Sequence, residues 1–209
     1  MSAVTSSGLI DAAALGAALS RWCDALDAAA PELNALDARL GDGDLGTTLG
    51  KCAANVRGVL AAEPSDLGAT LKGCAQACAK ASGSSFGTLL AVAFLSASKT
   101  VGERKQLDRD ALVELLQNAQ QALSARGGAS LGDKTMLDSL HAIAGALRAC
   151  DQGSDAQALK AAAQRGAAGA LEAFRDKPNR IGRARMFADQ SVGLDDPGMV
   201  AVQRMVQAL

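Results

Sequence analysis

Aromatic and β-branched residues are scarce in this sequence of 209 residues. It contains no tyrosine, one tryptophan and four phenylalanines, and 3 isoleucines and 10 valines stand against 46 alanines. Aromatic and β-branched side chains favour strands, whereas alanine is the strongest intrinsic helix former. The composition therefore predicts an all-α protein.

Histidine is almost absent, and the charge is balanced. The single histidine, His141, excludes zinc sites built from several histidines and leaves a Ser-His-Asp hydrolase with one candidate base. A net charge of −1 and a pI of about 5.8 lack the basic footprint of nucleic-acid binding, so we expect no nucleic-acid partner. Apolar runs stay well below the ~18 residues of a membrane-spanning helix, so we expect no membrane partner.

Cysteine usage indicates a reducing compartment. Five cysteines occur without a CxxC motif, at positions 23, 52, 74, 78 and 150. An odd number of cysteines and the lack of a signal peptide predict reduced thiols in the cytoplasm. Cys74 and Cys78 lie four residues apart on a predicted helix, where core packing is expected in preference to metal binding.

Hydrophobic periodicity and helix-terminating residues predict eight or nine helices. Their expected ranges are 8–30, 31–40, 46–62, 66–81, 85–99, 109–126, 135–150, 155–176 and 198–208. Pro31 is expected to open the short second helix. The expected N-caps are Ser7, Ser65, Asp108 and Ser154.

Short connections between these helices predict an antiparallel bundle or barrel. The single domain is expected to span residues 1–209, with residues 1–6 disordered. Glycines and polar residues concentrate in four gaps, at 41–46, 82–87, 127–134 and 182–198. Loops on a rigid scaffold commonly carry functional sites. The alternative is that each gap is an ordinary helix-ending turn.

The first gap, residues 41–46, matches the pattern GxGxxG but follows a helix and carries two aspartates. Both facts oppose a Rossmann phosphate loop. Asp37, Asp42 and Asp44 instead supply hard oxygen ligands suited to Mg²⁺, with enough charge for two ions. The helix that begins at 46–48 offers free N–H groups to phosphate. The alternative is an Asp/Gly turn with a capping aspartate.

Two further segments carry charged residues among glycines. Residues 127–135 resemble a Walker A loop with Asp133 inserted, and this aspartate is expected to cap the following helix instead. His141 on that helix is expected to be a packed or surface residue. Five basic residues lie at positions 175, 177, 180, 183 and 185. Arg183 is the candidate for contacting phosphate, the alternative being a solvated basic helix end.

Five sequence blocks together resemble one known family, the nucleotide-binding L subunit of dihydroxyacetone kinases, also called the DAK2 domain. The resemblance runs from about residue 7 to the C-terminus. The blocks are LDARLGDGDLG at 36–46, ASG at 81–83 with FGT at 86–88, GDKTMLD at 132–138, GRA at 182–184, and SVG at 191–193 with DPG at 196–198. The family fold is an antiparallel barrel of eight helices with the nucleotide at one end.

The resemblance implies a role for each matching residue. Two Mg²⁺ ions would be held by Asp37, Asp42 and Asp44 and would bridge the phosphates of ADP or ATP. The implied nucleotide contacts are Leu45, Gly46, Thr47, Thr48, Ser82, Gly83, Gly127, Met136, Arg183, Asp196, Pro197 and Gly198. Arg183 is also the implied catalytic residue, and together with Asp196, Pro197 and Gly198 it would close over the nucleotide.

Family members act with a separate K subunit that holds a short-chain keto sugar such as dihydroxyacetone. Some use ATP as the donor, and others keep ADP and recharge it from a phosphohistidine protein of the phosphotransferase system. The resemblance leaves both donors and a homodimer open. Relatives often have histidine where this chain has Leu45 and Leu194, and Glu-Arg where it has Asp189 and Gln190. These departures bear on partner docking and phosphate exchange.

Two other functions remain open from the sequence. One is a nucleotide-sensing regulator or coactivator without catalysis of its own, and the other is a plain helical scaffold. A genomic neighbour encoding a K subunit favours the kinase over the regulator.

Overall fold

The computed structural model describes residues 8–63, 66–81 and 85–209. Eight α-helices occur there: α1 Ala12–Leu40, α2 Leu45–Leu60, α3 Leu67–Lys80, α4 Ser85–Val101, α5 Arg109–Gly127, α6 Met136–Arg148, α7 Ala156–Arg175 and α8 Pro197–Gln207. Two short 3-10 helices, Arg183–Phe187 and Asp189–Ser191, join α7 to α8. The described residues form no strand, which confirms the all-α prediction. The domain range 1–209 stays a prediction, and residues 1–6 lie outside the described residues.

Aspartates begin most of the helices. Five of them accept a backbone N–H from the residue three positions later at 2.7–2.9 Å: Asp11, Asp66, Asp108, Asp155 and Asp196. The N-cap prediction is confirmed for Asp108 and is wrong by one residue for Ser154. The predicted caps Ser7 and Ser65 lie outside the described residues, and α1 and α3 are capped by Asp11 and Asp66. A carboxylate accepts the free N–H and also interacts favourably with the positive end of the helix dipole.

Pro31 lies inside α1, so the predicted short helix at 31–40 is not a separate element. Proline in a helix interior costs about 3 kcal/mol because it lacks an N–H and crowds the preceding turn. The helix nevertheless continues because leucines repeat every seven residues on its buried face, at positions 19, 26, 33 and 40. Breaking the helix would remove the last two from the core. Packing therefore outweighs local propensity here.

The eight helices form a closed ring. Each helix packs against the next, and α8 packs against α1. Since short connections make consecutive helices antiparallel, the helix ends that are joined in the pairs α1–α2, α3–α4, α5–α6 and α7–α8 all lie at one end of the ring. These four connections are the glycine-rich gaps of the sequence. No helix in the described ranges has the length and apolar character needed to cross a membrane.

Close helix packing depends on glycine where α2 begins. A Cβ on Gly46 would overlap the carbonyl oxygen of Ala30 in α1, whereas a Cβ on Gly58, further along α2, would meet nothing within 4 Å. The same helix therefore offers a matched pair of substitutions.

Gly46→Ala is expected to lower the free energy of unfolding by about 1–3 kcal/mol, because the added methyl group forces α1 and α2 apart. Gly58→Ala, at an exposed site in the helix interior, is expected to raise it by about 0.5–1 kcal/mol. Urea denaturation followed by circular dichroism measures both. Equal effects of the two substitutions would contradict the close packing of α1 on α2.

Candidate functional site

The end of the ring that carries the glycine-rich connections opens into a cleft of about 560 Å³. This volume lies within the usual range for small-molecule sites, about 300–1,000 Å³. Ten of the predicted site residues line it: Asp37, Asp42, Asp44, Leu45, Gly127, Met136, Arg183, Asp196, Pro197 and Gly198. Gly46, Thr47 and Thr48 are not in the lining, and Ser82 and Gly83 lie outside the described residues.

Three carboxylates converge on one wall of the cleft. One oxygen from each of Asp37, Asp42 and Asp44 lies within 4.8 Å of the others. Asp37 belongs to the last turn of α1, and its Oδ2 accepts the N–H groups of Asp44 at 3.0 Å and Leu45 at 3.3 Å. Like charges at this separation repel one another, and a divalent cation offsets that repulsion. The donor set consists of hard oxygens and fits Mg²⁺.

The first turn of α2 is tied to α1 rather than left free. Thr47 donates its N–H to Oδ1 of Asn34 at 3.1 Å, and Nδ2 of Asn34 donates to the Thr47 hydroxyl at 3.1 Å. Leu45 donates to Asp37, and the N–H of Thr48 donates to the carbonyl of Asp44. Asn34 was absent from the sequence prediction. Its position three residues before Asp37, on the same helix face, is the signal that points to it.

Another part of the cleft lining comes from the α5–α6 connection and the start of α6. α5 ends with Gly128 in the left-handed conformation, at φ +71°. α6 begins with a capping box in which Thr135 is the N-cap and the Asp138 carboxylate accepts the N–H of Thr135. The prediction that Asp133 caps this helix is therefore wrong. Asp133 instead accepts the N–H of Ser130 inside the loop, at 2.8 Å.

The arginine segment, which we define as residues 175–193, lies over the cleft. Its Arg183 guanidinium forms an ion pair with the Asp42 carboxylate, so the segment reaches across to the acidic wall. Gly182, at φ +69°, makes the turn that precedes Arg183. Arg175 forms a two-point ion pair with Asp195, at 2.9 and 3.1 Å.

A buried polar network underlies the arginine segment. Lys134 has no exposed surface, and its ammonium donates to three backbone carbonyls. Asn179 donates from Nδ2 to the carbonyl of Lys134 at 2.9 Å and to Asp196 Oδ2 at 2.8 Å. Burial lowers the pKa of Lys134 and raises the pKa of Asp196 from 3.8 to about 6. The sequence interpretation of residues 127–135 missed these roles of Lys134 and Asn179.

The remaining reactive side chains lie apart from the cleft. His141 is exposed on α6, as expected for a surface residue. Cys74 and Cys78 are buried in the main core together with Cys23 and Cys52, which confirms the prediction of core packing. Burial raises the pKa of Cys23 to about 11 and of Cys74 to about 12, so these thiols stay protonated.

The comparisons with known proteins agree on one family. The model of the DAK2 domain matches residues 39–209. D-erythrulose kinase from Mycolicibacterium smegmatis is 32% identical over 189 residues, which cover 88% of this chain and 33% of that protein. The ADP-binding subunit DhaL of PEP-dependent dihydroxyacetone kinase from Escherichia coli is 28% identical over 193 residues, 91% of this chain and 92% of the relative. The chain thus spans about a third of the first relative and nearly all of the second.

A solved structure supports the barrel fold. Dihydroxyacetone kinase from C. freundii, in complex with AMP-PNP and Mg²⁺, superposes with a TM-score of 0.73 at 23% identity. The superposition covers all of this chain and 35% of that one. Together with the match over residues 39–209, these findings show that the chain belongs to the DAK2 domain family.

Proposed function

We propose that this protein is the phosphoryl-donor subunit of a kinase for short-chain keto sugars, working with a separate K subunit that holds the sugar. The observation that carries the proposal is the facing of charges in one cleft: three carboxylates on one wall, and an arginine reaching them from the other side. Phosphoryl transfer needs positioning and charge neutralisation more than covalent chemistry, and this cleft offers both.

Names of the relatives support the same reaction class. They are kinases of dihydroxyacetone or erythrulose, and the relative that matches along nearly its whole length is called an ADP-binding subunit. The structure of similar fold was determined with AMP-PNP and Mg²⁺. From these names we infer ADP or ATP with Mg²⁺ as the ligands of this chain, and a short-chain ketose as the acceptor.

Each wall of the cleft has a proposed task. Asp37, Asp42 and Asp44 would hold Mg²⁺, for which we propose two ions, and the metal would neutralise phosphate charge. Gly127 and Met136 would border the nucleotide, together with Ser82 and Gly83. Phosphate would be contacted by Leu45, Gly46, Thr47 and Thr48, and the site would be closed by Asp196, Pro197 and Gly198.

Internal hydrogen bonds limit how the first turn of α2 contacts phosphate. The N–H groups of Leu45, Thr47 and Thr48 already have acceptors within the chain. The Gly46 N–H and the Thr47 hydroxyl are therefore the groups of this turn that we propose as donors to phosphate, and Leu45 and Thr48 would border the phosphate without donating a backbone N–H. Arg183 would then leave Asp42 to the metal and turn its guanidinium toward the phosphoryl group, where it is the proposed catalytic residue.

Isothermal titration with Mg-ADP and Mg-ATP tests nucleotide binding directly. We expect binding that requires Mg²⁺ and is lost in EDTA. A coupled assay with a K subunit, dihydroxyacetone and Mg-ATP then tests transfer. Binding without turnover would favour the alternative, a nucleotide-sensing regulator. Absence of Mg²⁺-dependent binding would overturn both functions.

The phosphoryl donor is distinguished by how quickly nucleotide is lost. If ATP is the substrate, bound ADP is expected to be removed by gel filtration. If ADP is a fixed cofactor recharged by a phosphohistidine protein, it is expected to stay with the protein. The protein is loaded with radiolabelled ADP and Mg²⁺, and the fraction of label that stays with the protein after gel filtration is measured.

A further inference from the structure

Lys134 is the most completely buried cation in the described ranges. Its ammonium donates to the carbonyl oxygens of Arg175 at 2.9 Å, Lys177 at 2.8 Å and Ser191 at 2.8 Å. An ammonium has three donors, and burying it is costly unless each donor has an acceptor. All three are satisfied here by backbone oxygens, so the side chain has no donor left for a ligand. This excludes the phosphate contact that a Walker A lysine makes.

The three acceptors lie at the two ends of the arginine segment. Arg175 and Lys177 begin it, Ser191 is close to its end, and Arg183 lies between. The N–H of Gly193 also donates to the carbonyl of Arg175, at 2.9 Å. The ammonium therefore closes the base of a loop whose tip carries the arginine that reaches the cleft.

The backbone around Lys134 adds contacts to the first part of the segment, before Arg183. Lys134 has a positive φ of 62°, rare for a residue with a side chain, and its carbonyl accepts Nδ2 of Asn179. The N–H of Arg180 donates to the carbonyl of Asp133 at 3.2 Å. The N–H of Asn179 donates to the Ser191 hydroxyl at 2.8 Å. The α5–α6 connection thus forms the base on which the segment rests.

We propose that Lys134 is a positioning residue that fixes the arginine segment so that Arg183 is held over the cleft. It acts through the backbone of residues 175–191 and touches no ligand. The part of this inference that concerns the nucleotide rests on the proposed function, whereas the part that concerns the segment stands without it.

Hydrogen exchange on the unmodified protein is the first test. The N–H groups of Asn179, Arg180 and Gly193 all lie in the arginine segment or at its end and are hydrogen-bonded. If Lys134 fixes the segment, these amides are expected to exchange at least about tenfold more slowly than the unstructured-chain rate. Exchange at the unstructured rate would overturn the proposal, and this measurement needs neither a variant nor a ligand.

Lys134→Met is the second test, because methionine keeps much of the side-chain volume and removes every donor. Exchange of the three amides is expected to quicken by about tenfold or more, while amides of the α1 core at Leu26 and Leu33 keep their rates. Lys72→Met, at an exposed lysine of α3, is the matched control and is expected to change nothing. If Lys134→Met does not fold, Lys134→Gln retains two donors and is expected to show an intermediate rate.

A double-variant cycle separates positioning from general stability. Arg183→Ala is expected to weaken Mg-ADP binding by about tenfold, and Lys134→Met by a similar factor, because each removes the same guanidinium from the cleft. The double variant is expected to bind Mg-ADP no more weakly than whichever single variant has the lower affinity. If the two losses of affinity multiply in the double variant, the substitutions act independently and the proposal is overturned. If the unmodified protein does not bind Mg-ADP, the proposed function fails, and the exchange rates alone decide the role of Lys134.

Discussion

Asp44→Asn is expected to weaken Mg²⁺-dependent ADP binding by roughly 100-fold, on the order of 3 kcal/mol. The substitution leaves the shape of the side chain but removes one of three negative charges that lie within 4.8 Å of one another. Mg²⁺ binds carboxylate oxygen far better than a neutral amide. Asp44 is the cleanest choice because its side chain makes no capping hydrogen bond, whereas Asp37 accepts two backbone N–H groups.

Stability in the absence of ligand distinguishes a metal ligand from a structural aspartate. The melting temperature of Asp44→Asn without nucleotide is expected to equal or slightly exceed that of the unmodified protein, because repulsion within the cluster decreases. Asp151→Asn, at an exposed acid on the α6–α7 connection at the opposite end of the ring, is the control for charge alone. A titration in which Asp44→Asn binds Mg-ADP with unchanged affinity would contradict the metal site.

The free energy of unfolding of Asp196→Asn, relative to that of the unmodified protein, is expected to increase as the pH rises. Burial raises the pKa of Asp196 from 3.8 to about 6. Between these pH values the folded protein holds a proton that the unfolded chain has released, so the contribution of Asp196 to the free energy of unfolding falls as pH rises. The full change corresponds to roughly 3 kcal/mol. The asparagine variant has no such proton to lose.

Urea denaturation of both proteins at several pH values from about 4 to 7 measures this difference. The free energy of unfolding of Asp196→Asn, relative to the unmodified protein, is expected to increase across that range. Asn179 and Met199 donate to different oxygens of Asp196, so the asparagine variant keeps an acceptor for one of them, and this loss of a hydrogen bond does not change with pH. NMR titration of the Asp196 carboxyl group measures its pKa independently, and a pKa at or below 4 would contradict the prediction.

Local sequence patterns were enough for much of the fold and for the acidic wall. The gap at residues 41–46 and the spacing of Asp37, Asp42 and Asp44 predicted a carboxylate cluster, and the three side chains do converge. Their relative positions depend on one turn of chain, which sequence neighbours determine. The glycine-rich gaps likewise fall at one end because helices joined by short connections alternate in direction.

Features that depend on distant residues could not be predicted in this way. The role of Lys134 depends on carbonyls 41, 43 and 57 positions later in the chain, and a backbone carbonyl leaves no mark in the sequence. Pro31 was expected to begin a helix because its local preference is strong. The heptad of leucines that keeps α1 continuous outweighs that preference only when the rest of the core is present.

The acidic wall and the arginine segment are held in different ways, and this difference has a kinetic consequence. Asn34 and the close approach of Gly46 to Ala30 fix the acidic wall to a helix of 29 residues. The arginine segment, which reaches the acidic wall through Arg183, is a loop with two short 3-10 helices whose two ends meet at one ammonium. We therefore expect any opening of the cleft to occur in that loop. The residence time of an occupant is then expected to depend on how often this loop opens, with little contribution from the helices.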